Sequence, residues 1–176
     1  MAFRPDLYYR SVTDIDLAEL RRRGVAGLLV DLDNTLVLRN TTEAAPDVRD
    51  WIRTVLDEGF GFVIVSNNWH ERVQDAAESL GVPIVGKATK PMTGGFRRAL
   101  RLLGLRADQA ATVGDQIFTD VLGGSLVGAT TVLVVPLAGG SDLPHTRLLR
   151  ALERRILAGR EPARRSDASG ASAEGS

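Results

Sequence analysis

The chain has 176 residues, 44% of them hydrophobic and 25% charged, a composition that supports one folded domain with a sizeable core. Its 22 basic residues balance its 22 acidic ones, so no global charge marks a nucleic-acid binder, and none is expected as a partner. Cysteine is absent, which excludes disulfides, thiolate metal sites and a cysteine nucleophile.

Residues 1–12 carry charges and Pro5 where a secretory leader needs an apolar core. No stretch approaches the roughly 20 apolar residues of a membrane span, so the expected location is the cytoplasm. After Arg21-Arg22-Arg23, the apolar run Gly27–Val30 reads as a buried parallel strand that ends at Asp31-Leu32-Asp33-Asn34-Thr35. Val48, Trp51, Ile52, Val55 and Leu56 then recur at helical spacing over Pro46–Glu58, and Gly59 supplies the stop. A second buried strand, Phe62–Val65, ends at Ser66-Asn67-Asn68. A helix over Glu71–Leu80, a short strand at Ile84-Val85, a helix from about Pro91 to Leu103 and a strand at Ala111–Val113 follow. One more helix and the strand Thr131–Val135 complete the series. Strands alternating with helices at this spacing predict a doubly wound α/β fold, a parallel sheet covered on both faces.

Between Arg147 and Arg165 seven arginines face only Glu153 and Glu161, and Leu148, Leu149, Leu152 and Ile156 lie opposite Arg147, Arg150 and Arg154 on a helical wheel. This segment reads either as a final helix packed on the sheet or as a basic amphipathic helix resting on an anionic leaflet. From Gly159 onward the chain has little to bury. The expected division is therefore a folded domain over 1–158 and a disordered polar tail over 159–176.

In an open α/β sheet, ligands bind beyond the carboxyl ends of the strands. Four chemically loaded places follow apolar runs: Asp31 to Thr35, Ser66-Asn67, Lys90-Pro91, and Gly114-Asp115 with Asp120 beyond. Carboxylates gathered at one sheet edge repel one another unless a cation sits among them, and oxygen ligands without histidine or cysteine favour Mg²⁺. Serine, asparagine, backbone amides and one of the chain's two lysines supply what a phosphoryl group needs. The expected substrate is a phosphate ester. His70 and His145 read as ordinary residues without a site role.

In this order the motifs resemble those of the haloacid dehalogenase (HAD) superfamily of phosphotransferases over about Val25–Val135. The resemblance implies that Asp31 is the nucleophile that forms an aspartyl-phosphate and that Asp33 is the general acid and then the base. It makes Ser66, Asn67 and Lys90 phosphate-binding, and Asp31, Asp33 and Asp115 the metal site, with Asp120 in a supporting position. An aspartate at position 33, where the ATPases of the superfamily carry threonine, points to a phosphatase. Only 35 positions separate Asp31 from Ser66 and 24 separate Ser66 from Lys90, so neither gap can house the cap domain that many members carry.

The leader Pro5-Asp6-Leu7-Tyr8 through Ser11-Val12-Thr13-Asp14-Ile15, the run Leu29–Val37, Lys90-Pro91, and Gly114-Asp115-Gln116-Ile117-Phe118-Thr119-Asp120 resemble the YqeG-like branch. That branch is related to the mitochondrial phosphatidylglycerophosphate phosphatases. The resemblance implies removal of phosphate from phosphatidylglycerophosphate, an anionic phospholipid headgroup as substrate, and peripheral contact with the cytoplasmic membrane face. Two alternatives remain at this point: a phosphatase for a soluble sugar phosphate or nucleotide, and a catalytically silent scaffold that keeps the fold for partner binding.

Overall fold

A computed structural model describes residues 3–39, 41–137, 157 and 159–164. Six parallel strands form one sheet in the order β1-β6-β5-β2-β3-β4. These are β1 (Leu7–Tyr9), β2 (Gly27–Val30), β3 (Gly61–Val65), β4 (Ile84–Val85), β5 (Ala110–Gly114) and β6 (Thr130–Val134). The helices are α1 (Leu17–Arg22), α2 (Pro46–Asp57), α3 (Glu71–Leu80), α4 (Thr93–Leu103) and α5 (Leu122–Val127). The doubly wound α/β expectation holds, with element ends moved by one or two residues.

Strands β2 and β3 are apolar throughout because both faces are covered. Side chains alternate between the faces: Leu28, Val30, Phe62 and Ile64 join Val48, Trp51, Ile52 and Val55 of α2 on one side. Leu29, Val63 and Val65 meet Phe96, Ala99 and Leu100 of α4 on the other. Helices α3 and α4 stop at Gly81 and Gly104, both in the left-handed conformation that glycine adopts without steric cost.

Three features differ from expectation. The leader folds into the edge strand β1 and the short α1, and Arg21, Arg22 and Arg23 end that helix in ion pairs with Glu58 and Glu19. Helix α4 begins at Thr93, two residues after the expected Pro91, with Met92 as its extended N-cap. The first residues of the expected tail, 159–164, lie against β1. Ala163 bridges to Tyr9, exchanging backbone hydrogen bonds with Tyr8 and Arg10, and Arg160 donates to the carbonyl of Pro5. An edge strand leaves its outer N–H and C=O groups without a ladder partner, and this return of the chain supplies one. The expected final helix and residues 165–176 lie outside the described residues. No helix among the described residues is long and apolar enough to cross a membrane.

Edge strand β1 is fastened by a side chain. Asp6 Oδ2 accepts from the backbone N–H and the hydroxyl of Thr131, both at 2.8 Å, while the Asp6 N–H donates to that hydroxyl. Asp6→Ala is expected to cost about 1–3 kcal/mol of stability, the usual penalty for stranding partly buried polar groups. Urea unfolding measures it, and an unchanged midpoint would show that the clasp holds nothing.

Candidate active site

Strand pairing brings the site together. Val30 sits between Ile64 and Val113 in the sheet, so the residues that follow β2, β3 and β5 leave the same edge side by side. Asp31 donates its backbone N–H to Val113, Ser66 follows β3, and Asp115 follows Gly114. Asp120 lies in a widened helical turn over Ile117–Val121 that leads into α5. Its Oδ2 accepts from the N–H of Gln116 and the hydroxyl of Thr119. Gly114 admits this carboxylate, since a Cβ there would collide with it.

The centre is Lys90. Its Nζ donates to Asp31 Oδ1 at 2.5 Å and to Asp120 Oδ1 at 2.6 Å, and its side chain is only 3% exposed. Asn67 holds the lysine in place from the neighbouring loop: its Oδ1 accepts from the Lys90 N–H at 2.6 Å and its Nδ2 donates to the Lys90 carbonyl. The Asn67 amide, expected to bind phosphate, lines the cleft and hydrogen-bonds the Lys90 backbone through both of its polar atoms. Ser66 is buried, and its hydroxyl oxygen accepts from the N–H of Asn68.

Burial pushes the Asp31 carboxyl up to about 7; Lys90 opposes that rise, while the charges of Asp120 and Asp33 add to it. Burial also disfavours the Lys90 ammonium, but Asp120 and Asp31 outweigh it and hold the lysine charged, above its ordinary value. Carboxylate oxygens of Asp31, Asp115 and Asp120, all buried, lie within 4.8 Å of one another. Three hard oxygen donors this close, one of them forced toward its neutral form, fit a small divalent cation.

Asp33, expected among the metal ligands, has a side chain outside this cluster. Its Oδ2 accepts from Asn68 at 2.8 Å and its Oδ1 from Arg72 at 2.7 Å. Arg72 also donates to the carbonyl of Thr41, so it ties α3, Asp33 and the loop after β2 together. The carboxylates that could hold a metal are therefore Asp31, Asp115 and Asp120, and Asp33 stands beside them at the cleft. An open cleft of about 150 Å³ runs over Asp31, Asp33, Ser66, Asn67 and Lys90, with Arg39, Asn68, Gln116 and Thr119 completing its walls.

Asn68 and Arg72 were missed by sequence reasoning. The signal for Arg72 was a cation in the first turn of a helix, where the dipole is unfavourable and a carboxylate partner is needed. Gln116 and Thr119 belong to the Gly114–Asp120 motif but were given no role, and Arg39 carried no signal of its own. His70 precedes α3 and stacks on Trp69, outside the cleft lining. His145 lies outside the described residues.

A HAD-hydrolase-like family model (Hydrolase_like) matches residues 87–141. The chain is 43% identical to the probable phosphatase YqeG of Bacillus subtilis over 155 residues, 88% of this chain and 90% of that protein. The chain belongs to the YqeG-like phosphatases of the HAD superfamily. It is also 32% identical to the chloroplastic phosphatidylglycerophosphate phosphatase 1 of Chlamydomonas reinhardtii, over 85% of this chain and 59% of the longer algal protein. Among solved structures, the cobalt-bound deoxy-D-mannose-octulosonate 8-phosphate phosphatase of Haemophilus influenzae shares the fold. Its TM-score is 0.50 at 15% identity, covering 77% of this chain and 89% of that one.

As a HAD-type phosphatase the chain shows no cap domain among the described residues. The segment between Asp31 and Ser66 holds a loop with bridges Asp33–Val37 and Val37–Ala44, then α2 and β3; the segment between Ser66 and Lys90 holds α3 and β4.

Because Asp31 titrates near 7 without a cation, a divalent ion must displace its proton below that pH. Mg²⁺ or Mn²⁺ affinity, measured by titration calorimetry, is expected to weaken roughly tenfold for each pH unit below about 7. Asp31→Asn should flatten this dependence, and a flat profile in the unaltered protein would contradict the cluster's assignment.

Proposed function

We propose that this phosphatase is a Mg²⁺-dependent enzyme that converts phosphatidylglycerophosphate to phosphatidylglycerol through an aspartyl-phosphate on Asp31. The observation that carries the chemistry is the buried Lys90 ammonium joining Asp31 to Asp120 on the floor of the cleft. It neutralises the nucleophile without covering it, because Lys90 engages Oδ1 of Asp31. The other carboxylate oxygen attacks phosphorus, the bond from phosphorus to the glycerol oxygen breaks, and Asp33 gives that oxygen its proton. Water then attacks the phosphorus of the phospho-enzyme, Asp33 takes its proton, and Asp31 and inorganic phosphate are released.

Asn68 and Arg72 fix the orientation of Asp33 for both proton transfers. Ser66 and Lys90 hold phosphoryl oxygens, and Asn67 acts through Lys90. The carboxylates of Asp31 and Asp115, with Asp120 beside them, would hold Mg²⁺, which would supply the positive charge that lets two anions meet.

The substrate assignment rests on two supports. One is the similarity to the algal phosphatidylglycerophosphate phosphatase across most of this chain. The other is the open cleft, which has no cap to enclose a small metabolite and can face a headgroup held in a bilayer. The enzyme then works as a peripheral protein on the cytoplasmic face of the membrane.

Phosphate release from phosphatidylglycerophosphate in mixed micelles with Mg²⁺, beside a panel of soluble phosphomonoesters, tests both parts. The lipid is expected to be preferred, Asp31→Asn to fall to the blank, and Asp33→Asn to lose about 10²–10⁴-fold in rate. Preference for a soluble ester would overturn the substrate and keep the chemistry. Absence of any turnover at saturating Mg²⁺ would favour a binding scaffold.

A further inference from the structure

Seven large apolar side chains are exposed among the described residues, and six of them divide by edge of the sheet; Phe3, ahead of β1, packs on Phe118. Leu56, Leu102 and Leu126 lie in the last turns of α2, α4 and α5, at the edge where helices return to the strand starts. Leu38, Trp69 and Met92, exposed by 40, 54 and 67%, lie at the opposite edge. Each sits in a different loop bordering the cleft: Leu38 beside Arg39, Trp69 beside Asn68, and Met92 two residues after Lys90. Large apolar side chains from three separate loops gathered at the mouth of a polar cleft are the kind of surface that marks an interaction site.

The same rim is basic. Lys87 places its ammonium 3.9 Å from the centre of the Trp69 ring. The loop that carries it is pinned: the Lys87 N–H donates to Asn68, the Ala88 N–H to Ser66, and Arg98 holds the carbonyls of Gly86 and Lys87. Among the described residues, neither Lys87 nor Arg39 takes part in an ion pair. An indole flanked by an unpaired ammonium, with leucine and methionine alongside, matches the layering of an anionic bilayer. There, rings and apolar groups enter the boundary region and cations meet phosphates.

We propose that Leu38, Trp69, Lys87 and Met92 form a docking rim for the surface of an anionic lipid bilayer, seating the cleft directly over headgroups. The choice of a lipid surface as occupant rests on the phospholipid reading of the substrate, and charge complementarity at Lys87 and Arg39 argues for it independently. Docked this way, the bilayer takes the place of the absent cap: it closes the cleft and excludes water while headgroups enter along the surface normal.

The test uses the full chain and vesicles of phosphatidylcholine with and without phosphatidylglycerol. Of the two tryptophans, Trp51 is buried against Phe62, so Trp69 is the one whose emission a membrane can change. Anionic vesicles are expected to shift that emission to the blue, and phosphatidylcholine alone to shift it little. Trp69→Ala with Met92→Ser should weaken partitioning, followed by sedimentation, at least about tenfold. Lys87→Gln should weaken it about fivefold, the weight of one basic residue near such a surface. Hydrolysis of p-nitrophenyl phosphate should be unchanged in all of these variants.

Unshifted emission, or variants that partition like the unaltered chain, would overturn the docking rim even if phosphatidylglycerophosphate in micelles proved to be the substrate. Concentration-dependent dimers abolished by Trp69→Ala would give the rim to a second copy and equally overturn it. Anionic-vesicle binding lost in the variants supports the rim even if micellar phosphatidylglycerophosphate is not turned over, so the two failures are distinguishable.

Discussion

Lys90 keeps an ammonium almost out of water, in contact with Asp31 and Asp120. Burial of a single charge there would cost several kcal/mol, and the cost is tolerable only because opposite charges and fixed dipoles surround it. Other features of the site follow from that requirement. Asn67 clamps the lysine backbone from both sides, Gly114 gives up its side chain so that Asp120 can approach, and the turn over Ile117–Val121 directs two more donors at Asp120. The arrangement still leaves Asp31 above its ordinary range, which is the condition of a site built to receive one more positive charge.

The sheet order explains why these groups meet. The chain runs outward from β2 through β3 to β4, then returns to β5 on the other side of β2 and continues to β6, with β1 outermost. The reversal opens a crevice at the carboxyl ends of β2 and β5, and Asp31 and Asp115 are the residues that follow those strands. Apolar strands covered on both faces hold this edge rigid, so the site inherits its precision from the core. The loops that leave the same edge carry the exposed apolar and basic rim, and the absence of a cap leaves that rim facing outward.

Strands β2, β3 and β5 and the motif residues beyond them were legible because buried parallel strands are predominantly apolar and the loaded loops follow them directly. The edge strand β1 was not: two half-buried residues and one buried residue make too short a pattern, and what holds them is Asp6 on Thr131, 125 positions away. The return of residues 159–164 to that edge was hidden for a similar reason, since it uses backbone groups that composition does not reveal. At the site, residue types were readable and side-chain directions were not. Asn67 turns to the Lys90 backbone, Asp33 turns to Arg72 and Asn68, and Asp120 joins the carboxylate cluster that Asp33 was expected to complete. Those directions are set by loops whose hydrogen bonds cross between distant segments, which spacing along one chain does not encode.

The most direct measurement is to find the phosphoryl group on the protein during turnover. Acid-quenching the enzyme with substrate and Mg²⁺, then reducing with borohydride, converts an aspartyl-phosphate to homoserine, which peptide mass spectrometry locates. Homoserine is expected at position 31 and nowhere else. Homoserine at another aspartate, or none while phosphate is being released, would contradict it.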